Sequence, residues 1–289
     1  MNDFIVLSIT ALSLGTVYAL VAVSVTLVFN SSGVVNFGGG HLAMVAGMLF
    51  GQLAGSAWGN AAVSILVAAA LGGICYLGAV RPAARRGAGE MSLAIAALAF
   101  GLLLDGIVGL AWQGEAASGQ PLVRGSFAVA GASVSYHRIF VIVVGAIVLA
   151  AVAVFMTRSV TGKSMRATSF NDALARVYGI KVDQVKTLAW ILGGALCGVA
   201  GVLLTPLVAM NRGLALILLV KGFAAAIIGG IGSPGGAVAG AFAIALAEAL
   251  FQRYVSTGFG VVFTFGVLFL ALTLRPQGFF GTRRVVERV

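Results

Sequence analysis

The stretch KGFAAAIIGGIGSPGGAVAG, residues 221–240, decides the fold. Two apolar runs flank Gly232-Ser233-Pro234-Gly235-Gly236, a sequence that interrupts a regular helix. The spacing predicts a helical hairpin. Lys221 lies thirteen residues before Pro234, and Glu248 lies fourteen after it. At 1.5 Å per residue both stand roughly 20 Å from the turn. A charge inside an apolar run is costly and marks a specific role. Facing each other at matching depth, Lys221 and Glu248 are expected to form an ion pair, which offsets part of the cost of burying either. Two roles stay open for the pair. It fixes the packing of two helices, or it presents charge to a solute path.

The rest of the chain reads as membrane. Hydrophobic residues make up 60% of 289 positions and charged residues 9%. Soluble domains carry about 25% charged residues, so this chain cannot cover itself with polar surface and lipid must be its solvent. The net charge of +10 does not indicate nucleic acid. Its basic residues fall in connectors between apolar runs, not on one face of a fold. Cys75 and Cys197 both lie within apolar runs and imply packing rather than a disulfide. The first apolar run reaches Phe29 without a basic start, and is expected to be a retained span rather than a signal peptide.

Nine candidate spans follow from length and apolarity. They are Phe4–Phe29, Leu42–Ser56, Ala61–Val80, Ser92–Trp112, Ile139–Thr157, Thr187–Met210, Leu214–Ile231, Ala237–Gln252 and Phe259–Leu274. Three are short, so eight or nine crossings are expected, in one all-α polytopic membrane domain, residues 1–289. With the N-terminus outside, the inner side holds Arg81, Arg85 and Arg86, six basic residues from Arg158 to Lys186, and Arg275, Arg283, Arg284 and Arg288. The outer side holds only Arg124, Arg138, Arg212 and Arg253. This bias places the C-terminus in the cytoplasm. Glycines four apart (Gly47, Gly51 and Gly55; Gly232, Gly236 and Gly240; Gly194 and Gly198) predict close helix packing.

Two connectors are long. Residues 113–138 are expected to form an irregular outer cap. Residues 158–186 carry an inner helix, with Ala167, Phe170, Leu174 and Val177 on one apolar stripe and Arg166, Asp172 and Arg176 off it. Gly179 reads as the residue that ends this helix, with Ile180 making the hydrophobic contact after it. Such a helix rests on lipid or docks another protein.

Little in the chain points to chemistry. TRSVTGKS, residues 157–164, resembles a phosphate loop but lacks its first glycine, and a span rather than a strand precedes it. His41 and His137 have no second ligand at metal spacing, so neither a metal site nor a catalytic residue is expected. Asp105 lies in a span without an evident partner and is a candidate for a water-filled route. NSSGVVNFGGGH, residues 30–41, is polar and glycine-rich, and a helix is not expected to run through Gly38-Gly39-Gly40. It is either a broken segment that holds solute or an ordinary turn. Thr16, Tyr18, Ser24 and Thr26 stand beside it in the first span as hydrogen-bonding groups.

Four stretches resemble the permease subunits of bacterial branched-chain amino acid ABC importers, the LivH type. They are GTVYALVAVSVTLVFNSSGVVNFGGGHLAMVAG (15–47), GKSMRATSFNDALARVYGI (162–180), the hairpin from Lys221, and RPQGFFG (275–281). The resemblance implies a plasma-membrane protein without a nucleotide site, catalytic residues or cofactors of its own, ATP and magnesium being held by partner ATPases. It implies four kinds of companion: a second, LivM-type permease, two ATPase subunits, an extracytoplasmic binding protein, and lipid. By this likeness Asp172, Ala175 and Gly179 belong to the segment that meets the ATPase, with Arg166 and Arg176 in the same segment, and Asn36 and Phe37 lie beside the path; Tyr18, Ser24, His41 and Asp105 are further path candidates by their own polarity. The family commonly reads Asn-Phe-Ala-His-Gly where this chain reads Asn36-Phe37-Gly38-Gly39-Gly40-His41. Urea, short amides or aromatic acids are therefore alternative solutes. The residues themselves leave open an autonomous transporter or channel, or a scaffold without transport.

Overall fold

A computed structural model describes residues 2–113, 115–129, 132–255, 258–275 and 278–280. Arg283, Arg284, Arg288 and part of the 275–281 motif lie outside the described residues. The architecture is helical. In chain order it runs α1 (Asn2–Ser32), α2 (Gly39–Gln52), α3 (Ala57–Cys75), a π-helical turn (Tyr76–Val80), α4 (Arg81–Arg85), α5 (Glu90–Trp112), β1 (Ser126–Val129) and β2 (Ala132–Ser135). It continues with α6 (Tyr136–Arg158), α7 (Val160–Phe170), α8 (Asp172–Val177), α9 (Val182–Leu204), α10 (Gly213–Gly229), α11 (Pro234–Tyr254) and α12 (Gly260–Leu274). Among the described residues, six helices are long and apolar enough to cross a membrane: Phe4–Ser32, Ala57–Arg85, Glu90–Trp112, Tyr136–Arg158, Val182–Leu204 and Pro234–Tyr254. Two shorter apolar helices, Gly213–Gly229 and Gly260–Leu274, add to them.

The centre of the bundle is α1. Its residues from Val17 to Val28 are all buried, as expected of a helix apolar on every side. It packs along α9, α10 and α11, while α2 and α3 close over the other face of α9. Outer helices α5 and α6 leave much of their apolar surface exposed (Leu110 and Ile147, for example), as a lipid-facing layer does.

Small residues set the helix spacing. A β-carbon at Gly240 would lie 2.3 Å from the Ala225 carbonyl oxygen, and one at Gly229 would lie 2.0 Å from that of Gly236. The α10 and α11 backbones therefore touch, and close approach replaces the hydrophobic drive that lipid removes. Ser233 caps α11 by accepting a hydrogen bond from the Gly236 amide, and Pro234 occupies the first turn. Gly230 and Gly232 take positive φ at the turn itself. The α10 end is completed from afar. The amides of Phe279 and Phe280 donate to the carbonyls of Ile228 and Gly229, which a buried helix end needs.

Four expectations require correction. Gly39 and Gly40 begin α2 rather than breaking it. A β-carbon at Gly40 would sit 2.1 Å from the Ala215 carbonyl oxygen, so this glycine serves close packing. The interruption between α1 and α2 lies earlier, over Gly33–Gly38. Gly55 lies beyond α2, outside the expected groove. The inner helix is two helices, because Asn171 is extended (φ −160°, ψ 115°) and its side chain caps α8 by accepting from the amides of Ala173 and Leu174. The outer cap is partly regular, since β1 and β2 form an antiparallel hairpin. Ala117 also bridges to Met210 through paired backbone hydrogen bonds of 2.8 Å.

Candidate functional site

The hairpin fixes the geometry of its two charges. Lys221 Nζ lies 2.6 Å from Glu248 Oε1 and donates to Tyr18 Oη at 2.9 Å. The Tyr18 hydroxyl reaches Glu248 Oε2 at 3.4 Å, and Gln252, one turn after Glu248, donates to Oε1 at 2.9 Å. The ammonium also sits 4.9 Å from the centre of the Tyr18 ring, a cation–π distance. Lys221 is 7% exposed and Glu248 5%, so neither charge is hydrated in bulk. Three helices meet here, α1 through Tyr18, α10 through Lys221 and α11 through Glu248. All four polar groups line a cavity of about 270 Å³ whose other walls are largely aliphatic. It lies beside the end of α9 and the start of α10, on the side where Ala117 bridges Met210, away from α7 and α8.

The remaining path candidates are dispersed. Ser24 donates to the Gly193 carbonyl at 2.8 Å and receives Cys197 Sγ at 3.3 Å, which ties α1 to α9. Asn36 is fully buried. Its Oδ1 accepts from the Gly38 amide, and its Nδ2 has no partner among the described residues. Phe37 meets Phe223 edge to face, 5.1 Å between centroids. His41 is buried against α5, where a β-carbon at Gly101 would lie 2.7 Å from Nδ1. Asp105 does have a partner, contrary to expectation. The Arg212 guanidinium grips it through Nε, at 3.0 Å, and through Nη2. Hydrogen bonding to this carboxylate, reinforced by its charge, pushes Arg212 above its ordinary pKa. A separation of 107 residues hid this pair from the sequence. Gln252 was equally missed, although its position four residues after Glu248 is a helical signal.

At the opposite end, α8 turns its charged residues toward α9. Asp172 pairs with Lys186 at the start of α9, and Arg176 lies 3.8 Å from Asp183. Asp183 also binds Arg81 at 2.7 Å and Arg85 at 3.6 Å. Ala175 is buried between α8 and its neighbours, whereas Arg166 is exposed. The charges thus hold α8 to the bundle, and the apolar residues face outward. Phe170 is 92% exposed, Val177 81% and Tyr178 83%. The turn after α8 is a Schellman motif. Gly179 has φ 78°, its amide donates to Arg176, and the Ile180 amide donates to Ala175.

The family model described as branched-chain amino acid transport system, permease component, matches residues 7–272. The chain belongs to this family. Among its relatives is the high-affinity branched-chain amino acid transport system permease protein BraD of Pseudomonas aeruginosa. It is 30% identical over 299 residues, covering 97% of this chain and 96% of that protein. The permease protein LivH of Escherichia coli is 30% identical over 297 residues, covering 96% and 95%. A probable LivH of Methanocaldococcus jannaschii is 29% identical over 283 residues, covering 91% and 88%. In fold, the chain is similar to PsaBC from Streptococcus pneumoniae solved in complex with Fab, with a TM-score of 0.50 at 18% identity over 93% of this chain and 91% of that one. Family and helices together make this permease a multi-pass protein of the bacterial inner membrane. As a permease of the ABC importer type it works with ATPase and binding-protein subunits.

Proposed function

We propose that the chain forms half of the translocation pathway of an ATP-driven importer, paired with a second, homologous permease and powered by two ATPase subunits. Its solute is a branched-chain amino acid released by an extracytoplasmic binding protein. ATP and magnesium reside in the ATPases, so the chain itself needs no cofactor. The N-terminus lies outside and the C-terminus inside, with eight or nine crossings. The excess of basic residues beside α4 and α7–α8 supports that orientation.

The observation that carries this reading is the apolar edge of Phe170 at the end of α7 and Leu174, Val177 and Tyr178 along and after α8, which ion pairs anchor. A helix that rests on lipid turns its apolar face toward the bundle and the acyl chains. Here ion pairs tie the polar face to α9, which leaves aromatic and aliphatic groups for a peripheral subunit. ATP closure of the ATPase dimer pushes on α8, and the Asp183 cluster passes the motion to α9 and α4. The route then opens toward the binding protein, and hydrolysis resets it. The permease needs only weak contacts with solute, because the binding protein supplies affinity.

Reconstitution tests the assignment. Leucine uptake into proteoliposomes is expected only with both permeases, the ATPases, ATP and the binding protein present. Uphill uptake by the purified chain alone, driven by an ion gradient, would refute it. Uptake of urea or an aromatic acid in place of leucine would correct the solute and keep the mechanism.

A further inference from the structure

We infer that the cavity over Lys221 and Glu248 recognises the zwitterionic head of an aliphatic α-amino acid in transit, an inference that rests on the transport reading above. Both charges have capacity to spare. An ammonium carries three donors, and Lys221 gives one to Tyr18 Oη and one to Glu248 Oε1. Among the described residues, Glu248 Oε2 has only the distant Tyr18 hydroxyl, at 3.4 Å. One donor and one strong acceptor are therefore left on a pair that lines a cavity.

The ligand class follows from charge balance. A free amino acid holds its ammonium and carboxylate on one carbon. Laid antiparallel to the Lys221–Glu248 pair, the four charges alternate around a square. Each gains a second counter-ion and no net charge enters the apolar interior. A simple amine or a simple carboxylate would bring an unmatched charge into the same place, at a cost the site has no means to offset. The wall beyond the charges suits a branched hydrocarbon, with Leu14, Leu204, Ile217 and Leu218 on it. A volume of about 270 Å³ accepts one small solute rather than a peptide. The start of α12 closes over the head group. A β-carbon at Gly260 would come within 3.0 Å of Glu248 Oε1 and 2.6 Å of Gln252 Nε2, so a side chain here would displace both polar tips.

Saturation-transfer NMR on the complete permease–ATPase complex in nanodiscs, without binding protein, reads this site directly. Leucine methyl protons are expected to receive saturation from the wild-type complex. Isoleucine should compete; 4-methylpentanoate, which lacks the ammonium, and isopentylamine, which lacks the carboxylate, should not. The paired variant K221M/E248Q leaves no lone buried charge and should lose the leucine signal at least fivefold. Equal competition by either analogue, an unchanged signal in the paired variant, or no signal from the wild type would overturn the inference. If the paired variant fails to assemble, the analogue competition on the wild type decides alone. ATP-driven leucine uptake by the same preparation with binding protein separates the two readings. Uptake present with the site tests failing removes the site alone, and uptake absent removes both.

Discussion

The core beneath the β-hairpin end and the rim formed by α7 and α8 have opposite polarity. In the core, Lys221, Glu248, Tyr18 and Gln252 turn polar atoms inward among aliphatic walls. At the rim, Asp172, Arg176 and Asp183 turn charge toward the bundle, and Phe170, Val177 and Tyr178 face out. Each arrangement wastes free energy in a protein that only has to fold. Buried charge costs several kcal/mol per ion unless paired, and exposed aromatic surface forgoes burial worth about 25 cal/mol per Å². The two exceptions are thus where we place function, with solute proposed for the core and a partner for the rim.

Substitutions separate the two regions by the size and kind of their effect. Lys221→Met strands Glu248 in a buried site, and about 3–5 kcal/mol of destabilisation is expected. Thermal unfolding of the purified complex should show it, with the Lys221→Met, Glu248→Gln pair costing less than either single change. If the costs simply add, the two charges are not coupled. Next in size is Gly240→Val, which drives a side chain into the Ala225 carbonyl and forces α10 from α11. About 1–3 kcal/mol or more follows from overpacking. Its yield of assembled complex should fall, and an unchanged yield would mean that the two backbones are not in contact. Asp172→Lys sets two like charges side by side at Lys186 and loosens α8. Here stability should drop by only about 1 kcal/mol, while uptake per ATP hydrolysed falls severalfold. Smallest is Arg85→Ala, an exposed partner 3.6 Å from Asp183. Its expected cost is roughly 0–1 kcal/mol, measured by the same unfolding assay, with transport intact.

How much of this the sequence discloses depends on whether a signal is local. Lys221 and Glu248 were legible because a helical hairpin has one register, and the count from Pro234 gives it. The end of α8 was legible because Gly179 and Ile180 are the residues its turn requires. The kink at Asn171 was not. Ala167, Phe170, Leu174 and Val177 keep helical spacing straight through it, so periodicity hides an N-cap that the Asn171-Asp172 pair could have revealed. Gly39 and Gly40 misled for a different reason. Local propensity counts them as breakers, whereas tertiary packing against Ala215 and Cys197 demands them inside a helix. Arg212 was beyond any local reading, since only the fold brings the chain before α10 to α5.

The rim is the point where the account places the power stroke, and ATP hydrolysis and leucine uptake measured side by side test it most directly. Phe170→Asp and Tyr178→Asp lie on exposed apolar surface and should leave unfolding within about 0.5 kcal/mol of wild type. Both variants should abolish ATP-driven uptake of leucine by reconstituted complexes while the ATPase subunits still hydrolyse ATP. Uptake at the wild-type rate in both would contradict it, and would place the contact with the ATPases elsewhere on the chain.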